Sequence, residues 1–401
     1  MRVPRRLTIF LVLLLPVLAA LMAGLARAWR SGGQADPWNW ALPAALMVAL
    51  MAQLLARDLW RWLVWIAVGA AGAALIFCTI AAARPPDPWA AVGLLLVMLL
   101  AGFGSRGIRD GKTRLIGIGL LALAGLLLWR GPAQPIASVA QRPALAVITA
   151  LPLFWDKAGL ADAPIITLLR TRFTVRPLDD PRALAKSGAR ALLLAQPRAM
   201  TPDQLVAIDT WVRAGGTALV LADPSLRWPS DLPPGDRRRA PSASLIDPLL
   251  RHWGAVQDAL VEAETRQFLD DGRLVTLFGA QSFKAGGACA AEQGGGIVRC
   301  RVGQGGIVLV GDADLIDDRL WLADPARPLD PRAWAADTPA LVAQWLGGPI
   351  TGERRWLRAG SDVVLGLRWA LILGIIWAMV GMALFSRTGQ RAGHSADGNK
   401  S

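Results

Sequence analysis

ALLLAQPRAMTPDQLVAIDTWVRAGGTALVLADP, residues 191–224, reads as strand, loop, helix and strand. Ala191 to Ala195 and Thr217 to Ala222 are short apolar runs of the kind that lie buried in a parallel sheet. Between them Leu205, Ile208 and Val212 recur at spacings of three and four with Trp211 alongside, while Asp203, Asp209 and Arg213 fall elsewhere. Thr201 suits a helix cap, Pro202 the first helical position, and Gln204 completes a capping box. Gly215 and Gly216 stop the helix. The stretch is one βαβ unit, and its helix is expected to cover a parallel sheet.

The same alternation continues outward. Before it, Ala144 to Thr149 is a strand, Ile165 to Thr171 a helix and Phe173 to Leu178 a strand. After it, Arg227 to Pro241, with Arg237, Arg238 and Arg239 in a row, reads as a solvated loop. Ser244 to Trp253 looks helical and ends at Gly254. Leu274 to Phe278, Ile297 to Val302 and Ile307 to Val310 are strands, the last running into Gly311-Asp312-Ala313-Asp314; Thr338 to Leu346 is a further helix. Residues 144–350 are therefore expected to form an α/β domain: an open, mostly parallel sheet with helices on both faces.

The flanks are a different material. The chain has 401 residues, 54% of them hydrophobic, too apolar for an ordinary soluble protein. Residues 7–26, 39–56, 62–83, 89–104, 115–129 and 363–385 are long and nearly charge-free, six candidate membrane spans of which 89–104 and 115–129 are the weakest. A secretory signal peptide is the alternative for residues 1–26, but no clean cleavage site follows. The expected plan is a five-span membrane region at 1–130, a linker at 131–143, the α/β domain at 144–350, a linker at 351–362, a final span at 363–385 and a tail at 386–401.

The formal charge of +13 belongs to the membrane regions. Residues 131–362 carry 26 Lys and Arg against 25 Asp and Glu, so they are nearly neutral. The surplus flanks the spans: Arg2, Arg5 and Arg6, then Arg57 and Arg61, then Arg106, Arg109, Lys112 and Arg114, then Arg387, Arg391 and Lys400 would share one side. The positive-inside rule then makes both termini cytoplasmic and residues 131–362 extracytoplasmic, in a bacterial inner membrane, and leaves no nucleic-acid partner. Trp29, Trp38, Trp40, Trp60, Trp62, Trp89 and Trp129 fall at span ends, at headgroup level. Cys289 and Cys300, on the exported side, are expected to form a disulfide, with two free thiols as the alternative. Cys78 lies within a span.

A doubly wound sheet places ligands beyond the carboxyl ends of its strands, which makes Gln196, Asp223, Asp312 and Asp314 the candidate ligand-binding residues. The same residues are ordinary turn starters. Asp312, Asp314, Asp317 and Asp318 do not form a calcium loop, because its sixth position is Asp317 rather than glycine and its twelfth is Ala323. Only two histidines exist, His252 and His394, and no G-x-S-x-G elbow occurs. Asp110-Gly111-Lys112-Thr113 lacks the first glycine of a P-loop. No catalytic residue, metal site or cofactor is expected.

LLLAQPRAMTPDQLVAIDTWVRAGGTALVLADP, SLIDPLLRHWG and GGIVLVGDADLIDD, in that order and over about residues 145–320, resemble the auxiliary subunits of ABC-type transport systems related to the gliding-motility family. The resemblance implies an extracytoplasmic domain similar in fold to class I glutamine amidotransferases and an accessory role beside a separate ABC ATPase and permease. Where an amidotransferase presents its nucleophilic cysteine, this chain has Gln196 and Pro197. The expected function is a non-catalytic, membrane-anchored accessory subunit binding a substrate or partner protein. The alternative is an envelope hydrolase or amidotransferase-like enzyme using exported carboxylates.

Overall fold

Long uninterrupted apolar runs satisfy their own backbone polar groups as helices, and the first 130 residues do so five times. The computed structural model describes residues 4–56, 59–131, 134–156, 158–233, 235–292, 294–350 and 354–397, with side chains described as far as Ser386. Arg2, Arg57, Pro132, Gly352 and Lys400, and the side chains of Arg387, Arg391 and His394, lie outside the described residues. The chain divides into two units, Met1–Gln134 with Arg354–Ser401, and Pro135–Glu353.

The first unit holds α1 (Arg5–Arg30), α2 (Trp38–Leu54), α3 (Trp60–Ala81), α4 (Pro88–Arg109), α5 (Arg114–Arg130) and the closing helix Gly360–Asp397. Among the described residues five helices are long and apolar enough to cross a membrane: α1, α3, α4, α5 with the turn before it, and the closing helix over Gly360–Ser386. The shorter apolar helix is α2, at 17 residues. This differs from the sequence reading, in which 89–104 is a weak span. Asp87 caps α4 by accepting from Ala90 N–H at 2.8 Å, and the helix continues through its basic end to reach 22 residues. The closing helix likewise runs past residue 385 to Asp397, through most of the segment expected to be a tail.

Tryptophan placement is also corrected in part. Trp29, Trp60, Trp89 and Trp129 are exposed, but Trp40 is fully buried. Its ring lies where a Cβ on Gly24 would stand, and its Nε1 donates to Leu21 O at 3.1 Å. Trp65 and Trp377 stack at 4.1 Å between centroids, each Nε1 donating to the other's carbonyl oxygen, at 3.2 and 2.9 Å. An indole N–H buried among apolar helices needs such a partner, so these rings join helices rather than mark a headgroup level.

The second unit runs β1 (Ala144–Thr149), a small hairpin β2 (Trp155–Asp156) and β3 (Gly159–Leu160), α6 (Pro164–Leu169), β4 (Thr174–Pro177), β5 (Ala191–Ala195), α7 (Pro202–Arg213) and β6 (Thr217–Leu221). It continues with α8 (Asp247–Trp253), β7 (Ala255–Phe268), β8 (Leu274–Ala285), β9 (Cys289–Ala291), β10 (Ile297–Val302), β11 (Gly305–Val310), α9 (Asp318–Trp321) and α10 (Thr338–Trp345), before the closing helix α11. The main sheet has the order β4-β1-β5-β6-β11-β10-β9. Its first five strands are parallel, and β10 and β9 extend it antiparallel. Counting the parallel strands alone gives 2-1-3-4-5, a doubly wound order whose switch point lies between β1 and β5.

Alternation sorts the faces. Ala146, Ile148, Leu192, Leu194, Ala218 and Val220 pack with Ile208 and Val212 of α7 and Leu249, Leu250 and Trp253 of α8. The alternate residues Leu145, Val147, Leu193, Leu219 and Leu221 are equally buried and face the other way, the side on which α10 meets β6 and α6. Gln204 Oε1 accepts from Thr201 N–H at 3.0 Å at the start of α7, and Gly215, at φ +110°, follows its end. Cys289 and Cys300 sit opposite each other in the β9–β10 register and are disulfide-bonded. The sequence reading lacks β7 entirely and stops β8 at Phe278. These two strands form a separate antiparallel hairpin outside the main sheet.

Candidate functional site

The register aligns Thr149 of β1, Ala195 of β5, Leu221 of β6 and Val310 of β11 in one row across the sheet. The residues that follow are therefore brought to one edge, and all four sequence-nominated residues stand there: Gln196 after β5, Asp223 after β6, Asp312 and Asp314 after β11. All four are also buried, with 0–1% of their surface exposed.

Gln196 is a bracket. Its Oε1 accepts from Asp223 N–H at 3.0 Å, and its Nε2 donates to Asp223 O and to Pro241 O, each at 3.0 Å. The side-chain amide thus continues the β5–β6 ladder one step beyond the strands and ties the 241 loop to it. Its φ of +42° is one of two positive values among described non-glycine residues, at a strand end where a left-handed turn re-aims the chain. Pro197 follows, so no N–H is offered from that position.

The carboxylates converge. One oxygen from each of Asp223, Asp312 and Asp314 lies within 4.8 Å of the other two. Asp223 accepts from Ser225 N–H at 2.7 Å and Ala313 N–H at 3.2 Å, Asp312 from Phe278 N–H at 2.7 Å and Leu315 N–H at 3.2 Å, and Asp314 from Arg227 N–H at 2.6 Å. These bonds pull the 225–227 loop and β8 onto the end of β11. Burial pushes the Asp312 carboxyl well above the usual carboxylate range, and the Asp223 charge adds to the shift. Burial also raises Asp223 against its N–H donors. Asp314 is pushed up to about 7, first by burial and then by repulsion from Asp223 and Asp317.

The open space is lined by other residues. A cleft of about 1080 Å³ is lined by Thr149 at the end of β1 and Ala150 and Leu151 after it, by Leu178 and Asp179 after β4, and by Arg198 from beyond β5. Trp155 of the small hairpin and Trp228 and Arg238 of the 227–241 loop rise along its walls. None of the four nominated residues lines it. Trp155 and Trp228 were not nominated from sequence, because the second belongs to a segment that reads as a solvated loop. The available signal was topological: the cleft adjoins the switch point between β1 and β5.

For catalysis the site offers little. Position 196 carries an amide whose atoms are all engaged. His252, on α8, has its Nε2 at 3.6 Å from Asp209 Oδ2 and at 3.2 Å from an Arg213 nitrogen, with no serine or cysteine nucleophile bonded to it among the described residues.

No curated protein matches the chain. Among solved structures it is similar to Gan42B, a GH42 beta-galactosidase from G. stearothermophilus, at 13% identity and a TM-score of 0.29, over 52% of this chain and 32% of that one. The exo-beta-1,4-mannosidase Op5Man5 from Opitutaceae bacterium strain TAV5 matches at 12% identity and 0.30, over 71% and 56%. A beta-galactosidase from Rahnella sp. R3 matches at 11% and 0.30, over 66% and 43%. The chain thus spans between about a third and somewhat over half of the length of these proteins. At these scores the likeness transfers no activity to this chain. Residues 142–266, from β1 through the βαβ unit and most of β7, match the family model ABC_transp_aux, described as an ABC-type uncharacterized transport system.

Proposed function

We propose that this protein is a non-catalytic, membrane-anchored accessory subunit of an ABC transporter, working beside a separate ATPase and permease. The observation that carries the reading is the family match over residues 142–266 in a chain that also has five helices long and apolar enough to cross a membrane. On this reading both termini are cytoplasmic in a bacterial inner membrane, as the clustering of Arg and Lys around the spans favours. The α/β unit then lies outside, where a disulfide between Cys289 and Cys300 is stable. The sheet is of amidotransferase-like type with its nucleophile position given over to Gln196.

The ligand or partner enters the cleft between β1, β4 and the 227–241 loop. There the aromatic rings of Trp155 and Trp228 stand beside Asp179 and Arg198. Gln196 and the three aspartates do not line it, and they act as supports of the strand ends rather than as contacts. Extraction in mild detergent should co-purify an ATP-hydrolysing subunit and a permease; extracts that repeatedly yield no nucleotide-binding protein would count decisively against the role. A reporter fused after Gly352 should register outside the cytoplasm, and a cytoplasmic signal would overturn the topology.

A further inference from the structure

Most charged side chains of the cleft beyond β1, β4 and β5 are already engaged. Asp162 is bonded to Arg170, Arg238 to Asp236, and Asp156 accepts from Ala158 and Gly159 N–H in its own turn. Asp318 shares a hydrogen bond with Asp317, and Asp231 is engaged as well. Asp179 and Arg198 remain, both exposed, and among the described residues neither side chain makes a hydrogen bond or an ion pair. Arg198 bears only on Asp236, whose carboxylate Arg238 already holds. Trp155 and Trp228 add two indole N–H groups that likewise have no partner among the described residues.

One carboxylate, one guanidinium and two ring donors sort the possible ligands by charge. A ligand seated here takes water from Asp179 and Arg198 together, and a charge that loses water without gaining an opposite partner is costly. A neutral polyol leaves both charges uncompensated, and a simple anion or cation leaves one. A zwitterion compensates both. Its ammonium donates to the Asp179 carboxylate, its carboxylate accepts from the fork of Arg198, and the indole N–H groups are donors for carbonyl oxygens between the two ends.

The sheet sets the distance between those ends. In the order β4-β1-β5 the two strands that lead to Asp179 and Arg198 lie on either side of β1. The ladders run on past the strands, Leu178 N–H donating to Val147 O at 2.8 Å and Ala150 N–H to Gln196 O at 3.3 Å. Both loops therefore leave one edge of the sheet two strand spacings apart, about 10 Å. The ammonium and carboxylate of a single amino acid sit on one carbon and do not span this; an extended chain, advancing about 3.3–3.6 Å per residue, does so in about three residues. The volume of about 1080 Å³ accepts that length. We propose that this cleft binds a short peptide of about three residues with both ends free, its amino end at Asp179 and its carboxyl end at Arg198. The inference rests on the reading of this cleft as the place where a ligand enters, and it adds the class of ligand.

The test is calorimetric titration of the full chain in detergent with the peptide Ala-Leu-Ala, its N-acetyl and C-amide forms, free leucine and maltotriose. The free peptide should bind, and blocking either end should weaken binding about tenfold or more, the loss of one charge-assisted contact. Asp179→Asn should bind the free and acetylated peptides alike, and Arg198→Gln the acid and the amide alike, each with wild-type circular dichroism; Trp228→Ala should weaken every form. No binding of the free peptide, equal binding of its blocked forms, a preference for leucine or maltotriose, or charge variants that keep the full discrimination overturns the proposal. Should a variant not fold, the comparison of free and blocked peptides on the wild-type chain decides. An ATPase found with a chain that binds no peptide defeats this inference alone, whereas peptide binding without any ATPase leaves it standing while the transporter role falls.

Discussion

Replacing Gln196 by alanine separates a supporting role from a binding one. The side chain makes three hydrogen bonds in the interior, two of them with the backbone of Asp223 and one with Pro241. At about 1 kcal/mol net each, with a further 1–3 kcal/mol for leaving the Asp223 N–H buried and unpaired, the loss is about 4–6 kcal/mol. Glycine at the same place loses the same bonds but relieves the left-handed backbone, which costs a side chain roughly 1–2 kcal/mol. Gln196→Gly should therefore be less destabilised than Gln196→Ala by about 1 kcal/mol, the reverse of the usual ranking inside a strand. Urea titration of the full chain in detergent, followed by far-ultraviolet circular dichroism, reads both variants. Equal stability of Gln196→Ala and wild type, or a glycine variant weaker than the alanine one, would refute the bracket and return Gln196 to the list of ligand contacts.

Other outcomes follow from single contacts. A Cβ on Gly311 would stand 1.9 Å from Gln281 O, beside the backbone bond in which Gln281 N–H donates to Gly311 O at 2.8 Å and joins β8 to the end of β11, so Gly311→Ala should cost more than about 3 kcal/mol. Limited proteolysis should then cut within β8 in this variant while sparing the wild type. The Asp314 carboxyl is pushed up to about 7 in the folded state from about 3.8 when unfolded, so the folded state holds the extra proton. Stability is present at low pH and falls, by up to about 4 kcal/mol, as pH rises from about 4 through 7. Asp314→Asn should flatten that slope in pH-dependent melting curves; an unchanged slope would assign it to another group. A maleimide reagent should label none of the three cysteines in the native, non-reduced chain and two after reduction. The double variant Cys289→Ala/Cys300→Ala should lose about 3 kcal/mol, read as a lower midpoint in urea, by the closure entropy of an 11-residue separation.

Much of the α/β frame is legible in the residues because its signals are local. Ala191–Ala195 and Thr217–Leu221 are buried on both faces, so they read as continuous apolar runs, and Thr201, Pro202, Gln204 and Gly215 delimit α7 by chemistry acting within four residues. Strand β7 is not legible: most of Ala255–Phe268 is exposed, so neither alternation nor an apolar run marks it, and only its pairing with β8 makes it a strand. Trp40 looks like a headgroup anchor by position and is buried because Gly24, on the neighbouring helix, leaves room for its ring.

The candidate site divides the same way. That Gln196, Asp223, Asp312 and Asp314 follow strands is written in the order of residues, since a strand's end is a local event. The parallel register, aligning Thr149, Ala195, Leu221 and Val310, then determines that these residues meet, that they are buried rather than presented, and that three carboxylates share one pocket of the interior. Contacts spanning 27 to 90 residues, such as Asp223 N–H to Gln196 and Ala313 N–H to Asp223, leave no periodic trace in the chain. By itself the sequence determines the apolar spans, the βαβ grammar and the basic flanks, because hydropathy and capping act over a few residues. Burial, convergence of charge and the open cleft are decided only when strands distant in sequence are laid side by side.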